Sequence, residues 1–379
     1  MSRETTGPRV VIAGLGETGV LTAVRLPRTY DVVGISSKPE LVSGQELGLR
    51  LTRPGRWARD YRLDFGALRG LDRVRVVHGA LTGLDLATRS VGVRHADGSG
   101  SREEYDVLVI STGISNGFWR RPELQSVDEV GAGIQEAHER LASASSVVVV
   151  GGGAAAVSAA GNIARVWPDK RVDLYFPGER ALPSHHGRVW AGIRAQLEAA
   201  GVGLHPGHRA VLPADFTGER ITADPVTWST GQAPVAAEAV LWAVGRARPN
   251  TDWLPAELLD DDGFVRADPD LRVPGTEGVF TIGDVAATDP LRSSARNFTH
   301  TLLAANVRAY VDGKPLRTFC APRRRWGSVL GPQPDGHTIY APNGRGYRIP
   351  AWVADGLMQP LIVNRGIYRG VRGWRRRAS

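Results

Sequence analysis

The stretch that most constrains this 379-residue chain is VVIAGLGETG, Val10 to Gly19. Four apolar residues, Val10-Val11-Ile12-Ala13, run into Gly14-Leu15-Gly16-Glu17-Thr18-Gly19, and a helical pattern bearing alanine and leucine follows. Strand, glycine turn and helix in that order form the GxGxxG fingerprint of a dinucleotide-binding βαβ unit. Gly14 is read as the tight-turn residue and Gly16 as the point where backbone approaches a pyrophosphate. Gly19 is read as the close helix–strand contact, and the amides that open the helix face phosphate. Alone, the motif also fits an ordinary βα turn.

Composition narrows the setting. A hydrophobic content of 42% with 23% charged residues is that of a soluble globular protein, and the length suffices for two or three domains. The single cysteine, Cys320, excludes an internal disulfide framework or redox dithiol and argues against a thiolate zinc site. No metal site and no catalytic acid–base pair is assignable. The N-terminus has no apolar core of a signal peptide, and no run reaches the roughly 18 apolar residues of a membrane span. The expected location is cytoplasmic, with peripheral contact on the inner membrane face left open. The net charge of +8 suits anionic partners: a dinucleotide, an acidic membrane or nucleic acid.

Residues 10 to 35 read as β-α-β, closing on Val32-Val33-Gly34-Ile35. A carboxylate is expected at that strand end to accept both ribose hydroxyls, but Ser36-Ser37-Lys38 stands there. Ser36 is left to bind the ribose weakly, and Lys38 to sit near a phosphate. Residues 41 to 65 look helical and then irregular. Val74 to Val77 read as a strand, the stretch from Leu84 to Gly98 as a hairpin broken at Asp97-Gly98, and Tyr105 to Ile110 as a buried strand ending in Ser111-Thr112-Gly113. The opening then repeats: Val147 to Val150, Gly151-Gly152-Gly153, a helix from Ala154, and a strand Val172 to Phe176. Two such turns one domain length apart argue for two nucleotide sites. Buried strands at Ala239 to Val244 before Gly245 and at Val279 to Ile282 before Gly283-Asp284 complete the series. A helix from about Ser293 to Asp312 and a small Arg-rich aromatic region close the chain.

This order of signals, with WAVGRARPNT (Trp242–Thr251) and VFTIGDVAA (Val279–Ala287), resembles the two-dinucleotide-binding-domain flavoproteins of the pyridine nucleotide-disulfide oxidoreductase superfamily over residues 8 to 313. The likeness is nearest to the branch of the apoptosis-inducing-factor-like ferroptosis suppressor and the type II NADH dehydrogenases, and is looser at the C-terminus. The resemblance implies an α/β fold with two Rossmann-like domains. An FAD domain of residues 1–116 and 240–313 would hold an inserted NAD(P) domain of residues 117–239, with a small α+β region at 314–379. It implies hydride transfer from NADH or NADPH to FAD, then electron transfer to a quinone at a membrane face.

The resemblance places FAD on Gly14, Gly16, Thr18, Gly19, Ser36, Lys38, Arg50, Ala80, Ser111, Thr112, Gly113, Asp284, Asn297 and Phe298. It places NAD(P) on Gly151, Gly153, Ala155, Ala156, Arg180 and Gly245. Asp284 would bind the ribityl chain, although the same residue could simply cap a helix. No cysteine lies between Leu41 and Thr52, where the family's redox thiols fall, so electrons must leave the flavin directly. The second motif departs from the family pattern. Ala156 replaces the third glycine, Ser158 a glutamate, and Phe176 the ribose-binding acid, while Arg180 could pair with a 2′-phosphate and slightly favours NADPH. Two other readings stay open: an oxidoreductase of a specialised metabolite or small redox protein with a degenerate second site, and a flavin-bound protein whose basic surface meets nucleic acid, a partner the residues do not favour. Apolar and Arg residues from Ile349 onward suit an anionic headgroup boundary or a plain cap. Monomer and homodimer are both compatible with the sequence.

Overall fold

In the computed structural model, which describes residues 7–115, 121–212, 216, 218, 220–245, 247–288, 298–321 and 326–373, Arg9–Ala13 lies at the centre of a five-stranded parallel sheet. The strand order is Val279–Thr281, Val107–Ile110, Arg9–Ala13, Asp31–Ser36, Val74–His78. Both faces of a parallel sheet are covered, which is why these strands read as unbroken apolar runs. Val10, Val11, Ile12 and Ala13 are all fully buried. The chain builds outward on one side of Arg9–Ala13 and then returns to the other. That reversal opens a crevice at the carboxyl ends of the strands.

A second parallel sheet repeats the plan, in the order Gly203–His205, Arg171–Tyr175, Ser146–Val150, Ala239–Trp242. The chain leaves the first sheet through Ile114–Ser115 and comes back through Arg248–Pro249, and these two segments pair antiparallel. Asn250 fastens the crossing. Its side chain donates to the Thr112 carbonyl at 3.0 Å, and its own carbonyl accepts from the Thr112 hydroxyl at 2.8 Å.

The two halves meet helix to helix. Leu47–Thr52 lies against Ala154–Val166, and a Cβ on Gly48 would stand 2.4 Å from the Ser158 carbonyl oxygen. Only small residues allow that approach, and AAAVSAAGNIA supplies them: Ala156 to Ala164 are buried all round the helix.

Three expectations change. Residues 41 to 65 are not one helix running into coil. A strand Glu40–Val42 pairs with Arg62–Asp64, and between them lie helices Leu47–Thr52 and Pro54–Tyr61. Pro54, which cannot donate to a preceding turn, starts the second helix afresh. The hairpin is a three-stranded antiparallel sheet, Ala80–Asp85, Ser90–Arg94 and Gly100–Glu104. Asp97-Gly98 makes only its second turn, where the Asp97 carboxylate accepts from the Ser99 amide at 2.9 Å and Gly98 takes a φ of +84°. The last long helix runs Thr299–Val311, and residues 293–297 of the expected span lie outside the described residues.

The C-terminal region is α+β and touches both halves. Its hairpin, His337–Tyr340 with Gly346–Ile349, follows a segment whose Leu330 carbonyl accepts from Asn162 of the 154–166 helix at 2.9 Å. A wide π-type coil, Ala354–Ile367, then leads to Tyr368 and Arg372, which pack on the first sheet's side. No helix among the described residues is long and apolar enough to cross a membrane.

Candidate nucleotide-binding cavity

The turn after Arg9–Ala13 is shaped by hard contacts. Gly14 has a φ of +103°, and a Cβ there would lie 2.6 Å from the Ser111 carbonyl oxygen. A Cβ on Gly19 would lie 2.0 Å from the Gly14 carbonyl oxygen. Gly16 is different: a Cβ there meets no heavy atom within 4 Å. Gly14 and Gly19 are therefore glycine for packing, whereas Gly16 is open toward the crevice. Ser111 locks the turn to the neighbouring strand through its hydroxyl, which donates to the Gly14 carbonyl at 2.8 Å.

The crevice is a cavity of about 450 Å³, within the range of small-molecule and cofactor sites. The structure brings Gly14, Gly16, Thr18, Ser36, Lys38, Arg50, Ala80, Ser111, Thr112, Gly113 and Asp284 to its wall. These residues come from segments far apart in sequence. Gly283, at a φ of +85°, comes so close to Thr18 that a Cβ would sit 3.2 Å from its hydroxyl, which sets Asp284 beside the glycine turn. Gly19 is packed behind the turn and does not line the cavity. Phe298 caps the 299–311 helix in a left-handed conformation, 70% exposed and away from the cavity wall. Asn297 lies outside the described residues.

The wall carries charge. The Lys38 ammonium donates to the Glu123 carbonyl, and its pKa is pushed down to about 8, chiefly by burial, with Glu123 working in the other direction. Arg50 is buried and stacks over the Trp57 ring, 4.5 Å from its centre. The segment after the crossover folds back over the strand end that lacks a carboxylate: the Gln125 amide donates to the Ser37 carbonyl at 2.9 Å. Sequence reasoning overlooked Glu17 and Gln45, which also line the cavity and are hydrogen-bonded to each other at 2.7 Å. The fingerprint itself contains Glu17, and a carboxylate inside an anion-binding turn was the available signal.

Cys320 is exposed in the segment after the 299–311 helix and is not part of the cavity wall. Among the described residues no group of His, Cys, Asp and Glu is arranged to hold a metal ion.

The second turn copies the first. Gly151 has a φ of +142°, and a Cβ would stand 2.1 Å from the Ala243 carbonyl oxygen, as Gly14 stands against Ser111. Gly153 is open, with nothing within 4 Å, and the 13-residue helix Ala154–Val166 starts from it. Ala156 is buried 3.3 Å from the Gly151 Cβ position, Ala155 is half-buried, and Gly245 takes a φ of +73° in open surroundings. Two side chains expected or replaced at this site are engaged within the protein. Phe176 is 2% exposed and meets Trp190 edge-on at 5.6 Å. Arg180 does not project freely: its guanidinium donates to the His185 and Pro183 carbonyls, each at 3.3 Å. The Ser158 hydroxyl is buried without a hydrogen-bond partner among the described residues.

A family model described as pyridine nucleotide-disulphide oxidoreductase matches residues 4–306. The oxidoreductase ptaL of Pestalotiopsis fici is 30% identical over 224 residues, which is 58% of this chain and 58% of that protein. The type II NADH:quinone oxidoreductase Ndh of Mycobacterium tuberculosis is 25% identical over 352 residues, 80% of this chain and 73% of that protein. The chain thus spans little more than half the length of the fungal relative. Among solved structures, an engineered water-forming NADPH oxidase bound to NADPH superposes with a TM-score of 0.63 at 18% identity, over 87% of this chain and 74% of that one, a likeness of fold.

Proposed function

The chain belongs to the pyridine nucleotide-disulphide oxidoreductase family, and from that premise we propose that this FAD-dependent oxidoreductase takes hydride from NAD(P)H and passes electrons to a quinone-type acceptor with no cysteine relay. The observation that carries this reading is the cavity at the first glycine turn, whose wall has no thiol while the chain's one cysteine is exposed elsewhere. The residues present fit FAD. Gly16 leaves open the space that a side chain would fill, Gly14 holds the turn, and Lys38 and Arg50 add positive charge on the wall. The Asp284 carboxylate is suited to accept a hydroxyl of the ribityl chain. Bound there, FAD would supply redox chemistry: it would accept a hydride from NAD(P)H and pass two electrons to the acceptor, with one proton from the reduced flavin and the second from solvent.

The second turn, with Gly153 open, is the proposed NAD(P)H position. The strand end where a ribose-reading carboxylate is expected holds the buried Phe176 instead, so that barrier to a 2′-phosphate is missing and NADPH is slightly favoured. Arg180 takes part only if a ligand draws its guanidinium off the Pro183 and His185 carbonyls.

Acceptor delivery at a membrane face is supported by the C-terminal region. Trp352, Leu357, Leu361 and Ile362 are exposed there, with Arg345, Arg365 and Arg369 nearby in the chain and also exposed. Aromatic and basic residues together suit an anionic headgroup boundary.

The buried Phe176 and the engaged Arg180 beside the second turn favour one other reading, in which the flavin is reduced by a specialised substrate and the pyridine nucleotide is lost. Anaerobic titration separates the two. Bleaching of the flavin band by NADH or NADPH, followed by reoxidation with a soluble quinone analogue, supports the main reading. A band that neither nucleotide bleaches overturns it in favour of the other.

A further inference from the structure

The Glu17 carboxylate is held at both oxygens by residues distant in sequence. The Gln45 side-chain amide donates to Oε2 at 2.7 Å, and the Tyr368 hydroxyl donates to Oε1 at 3.2 Å. Glu17 and Gln45 line the cavity, whereas Tyr368 reaches Glu17 from outside its wall. Tyr368 is 2% exposed, so its hydroxyl needs a protein partner. Its position is fixed by the surrounding backbone. The Tyr368 amide donates to the Val363 carbonyl at 3.0 Å, and the Arg69 amide donates to the Gly370 carbonyl at 2.9 Å. The Arg372 guanidinium grips both Asp72 carboxylate oxygens at 2.6 Å. The C-terminal segment is thereby fastened to residues 66–72, on the first sheet's side, with one side chain extending to the glycine turn.

A carboxylate on the wall of a cavity built for a diphosphate is an electrostatic liability, and its effect depends on where its charge points. We infer that Tyr368 is a positioning residue for this cavity: with Gln45 it fixes the Glu17 carboxylate in one orientation, so that FAD retention depends on the seating of the C-terminal segment. The inference rests on FAD occupying the cavity at Gly14–Gly16. It is not a matter of packing alone, because the ring of Tyr368 would serve packing without its hydroxyl. Removing the Tyr368 or the Gln45 donor loosens the hold on the carboxylate and lets its charge turn toward the incoming diphosphate. By linkage, a ligand that needs the seated arrangement also stabilises it, so FAD should protect the C-terminal segment.

A double-mutant cycle tests this, read by fluorescence titration of apoprotein with FAD. Tyr368→Phe should raise the FAD dissociation constant about tenfold, the scale of one lost charge-assisted hydrogen bond. In a Glu17→Gln background, which has no charge to misplace, the same substitution should have little effect. Gln45→Met, which removes the other donor, should behave as Tyr368→Phe does in both backgrounds. Trypsin cleavage after exposed Arg365 should slow when FAD is added to the wild type, and slow less in Tyr368→Phe. Equal losses in both backgrounds would mean that Tyr368 acts by packing only and would overturn the inference, as would unchanged affinity in Tyr368→Phe. A wild-type protein that binds no FAD would instead overturn the assignment of the cavity itself.

Discussion

The Gly14 Cα and the Ser111 carbonyl are so close that a Cβ on Gly14 would sit 2.6 Å from the carbonyl oxygen, while two residues later a Cβ on Gly16 would touch nothing within 4 Å. The two glycines of one motif should therefore fail differently. Gly14→Ala forces a side chain into backbone at a φ of +103° and is expected to lower stability by about 2–3 kcal/mol. Gly16→Val has an ordinary extended φ and room in the fold, so stability of the ligand-free protein should change by less than about 0.5 kcal/mol. It should nevertheless lose FAD, because the valine fills the approach. Thermal melts of apoprotein and the flavin absorbance of purified protein read the two effects separately. A Gly16→Val protein that stays yellow would remove this residue from the proposed cofactor approach.

Asn162 connects the helix of the second turn to the C-terminal region. Its amide donates to the Ser158 and Leu330 carbonyls, each at 2.9 Å, and its carbonyl accepts from Gln333 at 3.2 Å, all out of contact with water. Asn162→Ala should destabilise the protein by about 2–3 kcal/mol, since it deletes three buried hydrogen bonds and leaves a small void. Denaturant melts measure the loss. Faster proteolysis within residues 326–349 than within the 9–115 half should accompany it.

These contacts mark the boundary of what the residues disclose before folding. Glycine turns after apolar runs announce themselves locally, because the φ of Gly14 and the closeness of Gly151 to Ala243 leave no alternative residue at those points. Strands buried on both faces do the same through their unbroken apolar character. The second helix at Pro54 is harder to read, because residues 54 to 61, rich in Arg and Gly-containing, look irregular in sequence although Pro54 opens a helix there. Side-chain partnerships across long separations have no periodicity to betray them: Glu17 and Tyr368 are 351 residues apart. Arg180 and Phe298 show the opposite failure. Position in a motif suggests a ligand for each, yet nearby carbonyls engage one and a left-handed helix cap turns the other out to solvent.

Lys38 gives the cavity a pH signature. Its pKa in the folded protein is about 8, below the ordinary value of 10.5, with burial the leading cause. Below about pH 8 the lysine is charged in both states, and burying that charge counts against folding. Between about pH 8 and 10.5 it is neutral in the fold but still protonated in the unfolded chain, so the stability of the ligand-free protein should rise through that window. Lys38→Met should flatten this part of the profile. An anion beside Lys38 favours its charged form and raises its pKa. If the ammonium faces a phosphate of bound FAD, binding near pH 8 should take up protons in the wild type and fewer in Lys38→Met. Calorimetry in buffers of different ionisation enthalpy counts them, and equal uptake in both proteins would place the lysine away from phosphate.

The exposed apolar residues of the C-terminal region make the membrane proposal quantitative. Leu361 is 52% exposed and Ile362 54%, side by side, with Trp352 at 71% a few turns earlier in the chain. Burying two such side chains in an interface is worth about 1.5–3 kcal/mol each at full burial, and each nearby basic residue adds about 1 kcal/mol at an anionic surface. Two of the region's arginines are paired with carboxylates, Arg348 with Asp335 and Arg372 with Asp72, whereas Arg345 lies over the Tyr347 ring and Arg365 and Arg369 are exposed, so these three are better placed to meet lipid. Binding to anionic vesicles should weaken as salt is raised, because the arginine contribution is screened. Leu361→Ser with Ile362→Ser should weaken it at every salt concentration, since the apolar contribution is not screened. Vesicle co-sedimentation distinguishes these slopes. If the wild type stays in the supernatant with anionic and neutral vesicles alike, the region is a cap on the protein, and the acceptor must reach the flavin from solution.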